Sequence, residues 1–198
     1  MALHKLRHFV SAIADLVDTE SNEAVLIERG SAALRELISV DDWLPDAYAQ
    51  PSLDRYQQFL LYADARQRFS VVSFVWGPGQ QTPIHDHTVW GLIGVLRGAE
   101  LAAPFARNHD GTLRQSGNEV RLERGAVEAV SPVIGDIHRV RNAYDDRVSI
   151  SIHVYGANIG AVHRSTYPPD ARPKPFISGY SNDTIPNLWD LSKESRLS

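Results

Sequence analysis

Two histidines one residue apart, His85 and His87 in TPIHDHTVWG, are the first residues of this chain whose types and spacing could do chemistry together. In extended backbone, side chains two residues apart share a face. The two imidazoles then point one way and Asp86 the other, and their ring nitrogens can meet at one metal ion. A third imidazole is available in GDIHRV, where His138 follows a turn-rich stretch containing Pro132 and Gly135. Three neutral ligands leave coordination positions open, as a catalytic metal requires. The next acid after Asp86 is Glu100, which argues against a two-histidine, one-carboxylate iron site. An all-imidazole set leaves the ion its full charge and favours an anionic ligand such as a thiolate. Taken alone, the pair reads equally well as two surface histidines, and three histidines suit zinc as well as iron. His4, His8, His109 and His163 have no such context and are expected at the surface.

A second cluster lies in RVSISIHVYG. Val148, Ile150, Ile152 and Val154 alternate with Ser149, Ser151, His153 and Tyr155, the pattern of a strand. On alternation alone, the polar face belongs in water. Inside a small barrel it would line the cavity instead. Neighbours on that face stand ~6.6 Å apart, close enough for a hydroxyl–imidazole–hydroxyl relay.

These residues need elements to position them. Leu3, Leu6, Val10, Ile13 and Val17 recur at helical spacing. A second helix, capped by Ser21 or Asn22, carries Leu26, Ala33, Leu34, Leu37 and Ile38 to about Val40, and a turn follows at Asp41–Pro45. A third helical stretch is expected over Asp54–Tyr62, with Tyr56, Phe59 and Leu60 on one side. From FSVVSFVWGPG (69–79) onward, short β-branched and aromatic runs alternate with turns such as NHDGT, to about residue 155. That rhythm predicts an all-β sandwich or barrel. Pro168, Pro169, Pro173 and Pro175 mark the C-terminal segment as an extended tail laid over the body.

The 198 residues fit one domain with a core of its own. A net charge of −4 offers no electrostatic footprint for nucleic acid or an anionic membrane. No run reaches the ~20 apolar residues of a membrane span. MALHKLRHFVSAIADLVD lacks the unbroken apolar stretch of a secretory signal, so a cytoplasmic location is expected. The chain has no cysteine, which excludes disulfides, thiolate ligands and a cysteine nucleophile.

Taken jointly, TPIHDHTVWG, GDIHRV and SIHVYG resemble the cysteine dioxygenase family of thiol dioxygenases, and FSVVSFVWGPGQ and GLIGVLRGAE are similar to its flanking strands. The resemblance spans roughly residues 54–165. It implies a mainly β fold: a cupin (double-stranded β-helix) barrel over 66–165, preceded by a helical segment over 1–65 and followed by a tail over 166–198, all in one domain. It implies one Fe(II) per chain on His85, His87 and His138, with Ser151, His153 and Tyr155 as a relay beside it. The partners would be a small thiol and O2, the product a sulfinic acid, and the chain a monomer or weak homo-oligomer. Two departures stand out. Gly91 occupies the place where mammalian-type members carry a cysteine crosslinked to the relay tyrosine, so no thioether to Tyr155 can form. An early arginine that grips the substrate carboxylate is replaced by Gln58, or by Gln57 if the alignment gap falls differently. This pattern resembles the bacterial glutamine-type branch, which includes 3-mercaptopropionate dioxygenases and carries an arginine after the last strand. Arg164 fits that position. 3-Mercaptopropionate, L-cysteine and mercaptosuccinate all stand as candidate thiols. A zinc- or manganese-dependent cupin isomerase or hydrolase, and a small-acid sensor without turnover, are the competing expectations.

Overall fold

The computed structural model describes residues 3–168 and 172–191; residues 169–171, Pro169 among them, and 192–198 of the expected tail lie outside them. Two helices come first, α1 (Leu3–Thr19) and α2 (Glu23–Leu37). α1 buries Leu6, Phe9, Val10, Ile13 and Leu16, the stripe its spacing requires. Asn22 caps α2: its side-chain oxygen accepts from the backbone N–H of Ala24 at 3.0 Å and of Val25 at 3.4 Å, satisfying donors that the first turn leaves free.

The strands are β1 (Gln57–Ala63), β2 (Ser70–Trp76), β3 (Gly91–Arg97), β4 (Ala99–Arg107), β5 (Leu113–Gln115), β6 (Val120–Glu123), β7 (Val127–Val130), β8 (Ile137–Asn142), β9 (Ser149–Tyr155), β10 (Arg164–Thr166) and β11 (Lys174–Phe176). One antiparallel sheet runs in the order β1-β2-β9-β3-β7. In the other, β4 pairs with β5 and β6 along one edge and with β8 along the opposite edge. The mainly β architecture with two N-terminal helices agrees with the fold expected from the sequence.

The expected helix over Asp54–Tyr62 does not form. Residues 57–63 are β1, paired with β2, and its buried residues, Phe59 and Leu61, alternate with period two. Phe59 and Leu60 suit either period over so short a run, and sheet pairing decides. The tail covers β1's other edge: Gln58 N–H donates to the Ser181 hydroxyl at 2.9 Å, and the Asn182 side-chain amide accepts from Leu60 N–H and donates to Leu60 C=O.

Two cores flank the first sheet. The outer one packs α1 and α2 against it through Leu6, Ile13, Leu34, Ile38, Leu92 and Ile152. The inner one fills the barrel with Val72, Phe74, Trp76, Val95, Val140 and Tyr155. Gly94 lets α2 approach β3 closely, because a Cβ there would stand 3.0 Å from both Leu34 and Ile38. With helices outside and barrel inside, every residue of β9 is buried. Of the two readings of that strand, the cavity-lining one describes the structure: Ser151, His153 and Tyr155 point inward. Among the described residues no helix is long and apolar enough to cross a membrane.

Leu34 is fully buried at the helix–sheet contact. Leu34→Ala should cost about 2–5 kcal/mol of unfolding free energy, through lost transfer energy and a residual cavity. Urea unfolding measures this, and a cost below about 1 kcal/mol would mean the helices do not anchor to the sheet as described.

Candidate metal centre

His85 sits in an irregular segment, not in a regular strand, yet its backbone is fixed on both sides. His85 and His138 exchange both backbone hydrogen bonds at 3.0 Å, and His85 also bridges to Thr166 on β10. The chain then turns at Thr88, a non-glycine residue with a φ of 61°. Asp136 holds that strained turn by accepting from the backbone N–H of His87 at 3.0 Å and of Thr88 at 2.9 Å. The same carboxylate lies 3.1 Å from His87 Nδ1. Asp86 points away, as its place in the i, i+2 pattern predicts, and accepts from Ser165 N–H at 2.7 Å and from the Tyr167 hydroxyl.

The outcome is three buried imidazoles whose ligating nitrogens all lie within 4.8 Å of one another. His85 Nδ1 lies 3.0 Å from Pro83 C=O, so with its proton there Nε2 is left as the ligand atom. His87 is oriented in the same way by Asp136. Burial, reinforced by the neighbouring His87, pushes the His85 pKa down to about 3. Burial and the adjacent imidazoles also hold His138 well below its ordinary value. Three imidazole nitrogens converging, with no carboxylate in the set among the described residues, suit a divalent ion, so the residues present fit a metal.

Beside this cluster, the row on β9 is continuous. The Ser151 hydroxyl lies 2.7 Å from His153 Nε2, and His153 Nδ1 lies 2.8 Å from the Tyr155 hydroxyl. The Tyr155 ring stacks on His87 with centroids 5.5 Å apart. Burial raises the Tyr155 pKa, keeping the phenol neutral. At Gly91 an added Cβ would stand 2.9 Å from the Tyr155 ring, so the bare backbone lets that ring sit where it does.

His85, His87, His138, His153, Tyr155, Gln58 and Arg164 all line one cavity of about 190 Å³. Gln57 does not line it: its amide donates to the Arg55 carbonyl at 2.9 Å. Arg164 is buried, with Nη2 donating to the Ser178 hydroxyl at 2.7 Å, the guanidinium 4.6 Å from the Phe176 ring, and Nε without a hydrogen-bond partner. Burial lowers its pKa, yet an arginine stays charged. Ser151 sits one step back from the cavity, at the end of the row. Trp90 packs over Gly156, where an added Cβ would meet its indole, and does not reach the cavity. His4, His8, His109 and His163 are exposed.

Sequence reasoning did not single out Asp136, Phe176 or Ser178. Asp136 stands two residues before His138 and could have been found by the alternation that found His85 and His87. Phe176 and Ser178 reach the cavity from the tail, where no periodicity marks them.

The class of protein follows from barrel and site together: a β-barrel with an internal three-histidine cluster that could hold a metal ion. Solved structures similar to this chain include an uncharacterised conserved protein with a double-stranded β-helix domain from Klebsiella pneumoniae (20% identity over 57% of this chain and 82% of that one, TM-score 0.46). Another is an RmlC-like cupin from Desulfovibrio desulfuricans (21% identity over 60% and 95%, TM-score 0.44). The cysteine dioxygenase type I family matches residues 4–166, and the chain belongs to that family. It is thus a cysteine-dioxygenase-like oxidoreductase in general terms.

The buried imidazoles make folding depend on pH with a definite sign. In the unfolded chain a histidine protonates near 6.5. In the fold His85 does so only at about 3, and His138 also stays neutral. Below about 6.5 the unfolded state therefore binds more protons, and stability falls as pH falls. The metal-free protein should keep full stability above that value and lose it progressively down to about 3. Thermal midpoints should show a shallower acid slope in the His85→Gln/His138→Gln double variant. Equal slopes would contradict the buried, neutral assignment.

Proposed function

We propose that this chain oxidises a small carboxylate-bearing thiol to its sulfinic acid, using Fe(II) and O2, with 3-mercaptopropionate as the preferred thiol. One observation carries the reading: a buried arginine with an unpartnered Nε faces the same cavity as three convergent imidazoles. A buried cation lacking an ion-pair partner is costly unless its ligand is an anion. The guanidinium fork suits a carboxylate, and the metal centre suits a thiolate. A mercapto acid carries both groups a few bonds apart.

The lining chemistry favours one acid over the others. Among the described residues lining the cavity there is no Asp or Glu, so the ammonium of L-cysteine meets no countercharge from them. Among the described lining residues Arg164 is the single arginine or lysine, which leaves the second carboxylate of mercaptosuccinate without one.

A ferrous ion on His85, His87 and His138 would hold the thiolate at neutral pH and supply the site where dioxygen reacts. The chain does the rest. Arg164 anchors the carboxylate, and Ser178 and Phe176 fix the guanidinium by a hydrogen bond and a cation–π contact. Gln58 adds a polar contact on the same wall. Tyr155, oriented by His153 and Ser151, presents its hydroxyl to the reacting sulfur or oxygen. Phe74 and Trp76 exclude water from that side. Overall, R–SH and O2 give R–SO2H: both oxygen atoms go to sulfur, sulfur supplies the electrons, and no separate reductant is needed.

Iron-loaded protein should consume O2 with 3-mercaptopropionate at a higher kcat/KM than with L-cysteine or mercaptosuccinate. Arg164→Gln should lower kcat/KM for 3-mercaptopropionate about 10- to 100-fold, the worth of a charged hydrogen-bonded contact, mostly through KM. The same variant should leave the carboxylate-free thiol 2-aminoethanethiol unchanged. Steady-state oxygen uptake tests both, and an equal loss for both thiols would contradict the carboxylate anchor.

A further inference from the structure

Glu100 on β4 is fully buried inside the barrel, and neither of its carboxylate oxygens has a hydrogen-bond partner. Its cross-strand neighbours are Leu122 on β6 and Asn142 on β8. The Asn142 side chain is already committed, donating to the carbonyls of Trp76, Gly77 and Arg147 and accepting from Ser149 and Tyr144. What faces Glu100 instead is the far end of the β9 row. The Ser151 hydroxyl and the Trp76 indole lie against its carboxyl closely enough to lower its pKa, though short of hydrogen-bond geometry. Trp76 Nε1–H donates to Ser151 Oγ at 3.2 Å. The hydrogen-bonded row runs from Ser151 through His153 to Tyr155 at the cavity, and Glu100 stands beside its far end without a hydrogen bond of its own.

We propose that Glu100 is the terminal positioning residue of this row, and that the presence or absence of its proton sets which way the row donates at Tyr155. The hydrogen-bonding capacity of each member leaves two complete arrangements. With Glu100 neutral, its O–H donates to Ser151, Ser151 to His153 Nε2, and His153 Nδ1–H to Tyr155, whose own O–H is left to donate into the cavity. With Glu100 ionised, Ser151 donates to the carboxylate, His153 Nε2–H to Ser151, and Tyr155 O–H to His153 Nδ1. The phenol oxygen then faces the cavity as an acceptor. Passing from the first arrangement to the second moves one proton along each link and delivers one proton at Tyr155. His153 changes tautomer and never becomes a cation, and Tyr155 is neutral throughout.

The electrostatics agree with a group that changes state under ordinary conditions. Burial raises the Glu100 pKa to about 7, against the lowering effect of Ser151 and Trp76. The ionisable groups that act on it or feel its charge are Glu128 on β7, whose charge pushes Glu100 further up, and Tyr155 on β9. Trp76, Leu122 and Asn142 are the uncharged faces presented by β2, β6 and β8. Burial holds His153 well below its ordinary value, so it stays neutral over this range.

The catalytic meaning of the switch rests on the thiol dioxygenase reading, but its direct test does not. Nitrogen-15 NMR of the full-length protein, metal-free and zinc-loaded, reports which nitrogen of His153 carries the proton. Nδ1–H is expected at pH about 5.5 and Nε2–H at about 8.5. Glu100→Gln should hold one tautomer throughout, and Glu100→Asp should retain the switch with a displaced midpoint. In the iron-loaded protein, the matching inflection in kcat should vanish in Glu100→Gln while metal content is unchanged. A His153 tautomer that ignores pH in the wild type, or a switch that survives unchanged in Glu100→Gln, overturns the proposal. If Glu100→Gln does not fold, an unmoved midpoint in Glu100→Asp overturns it equally. Absence of thiol-dependent oxygen uptake would sink the dioxygenase reading and leave the tautomer result standing. A fixed tautomer in an active dioxygenase would sink the switch alone.

Discussion

Strand β9 is buried on both faces, and the rest of the molecule is arranged around that constraint. Its even-numbered side chains, Ile150, Ile152 and Val154, need an apolar cover, which α1 and α2 supply from outside. Its odd-numbered side chains are polar and lie inside the barrel, where an unpaired hydroxyl or imidazole is costly. Ser151, His153 and Tyr155 meet that cost by bonding to one another at 2.7 and 2.8 Å. A strand that reads as amphipathic thus places its polar side inward, and the N-terminal helices exist in this fold to make that possible.

The three-histidine cluster depends on backbone pairing across the barrel mouth. His85 and His138 are far apart in sequence but exchange two backbone hydrogen bonds, so their rings leave the chain side by side. His87 joins them because Asp136 fixes both the turn at Thr88 and the His87 ring. The bridge from His85 to Thr166 brings β10 alongside, and with it Arg164. The three histidines and Arg164 are therefore placed by one continuous piece of hydrogen-bonded backbone. Burial keeps His85 and His138 neutral, and the buried Arg164 stays charged with an unpartnered Nε, so the cavity sets imidazoles beside a fixed positive charge.

Much of this was legible in the sequence because the relevant rules are local. Two-residue spacing placed His85 with His87 and sent Asp86 elsewhere, although the segment is not a regular strand. The same rule aligned Ser151, His153 and Tyr155. What it could not decide was which face of β9 met water, because that depends on helices packed from the far end of the chain. Residues 54–62 misled for a related reason: Tyr56, Phe59 and Leu60 match a helical face, but β2 and the tail claim both edges of that segment. Phe176 and Ser178 were illegible because the tail carries no periodicity. Glu100 was visible only as an acid too far from His87 to be a ligand, and its nearness to Ser151 is purely tertiary.

In the proposed reaction both atoms of one dioxygen molecule end on the sulfur of a small thiol acid. The most direct measurement is turnover of 3-mercaptopropionate by the iron-loaded protein under ¹⁸O2, with mass spectrometry of the product. The account predicts a sulfinate carrying two ¹⁸O atoms, formed in equal amount to the O2 consumed. A product with one labelled oxygen or none, or a disulfide formed in place of sulfinate, would contradict it.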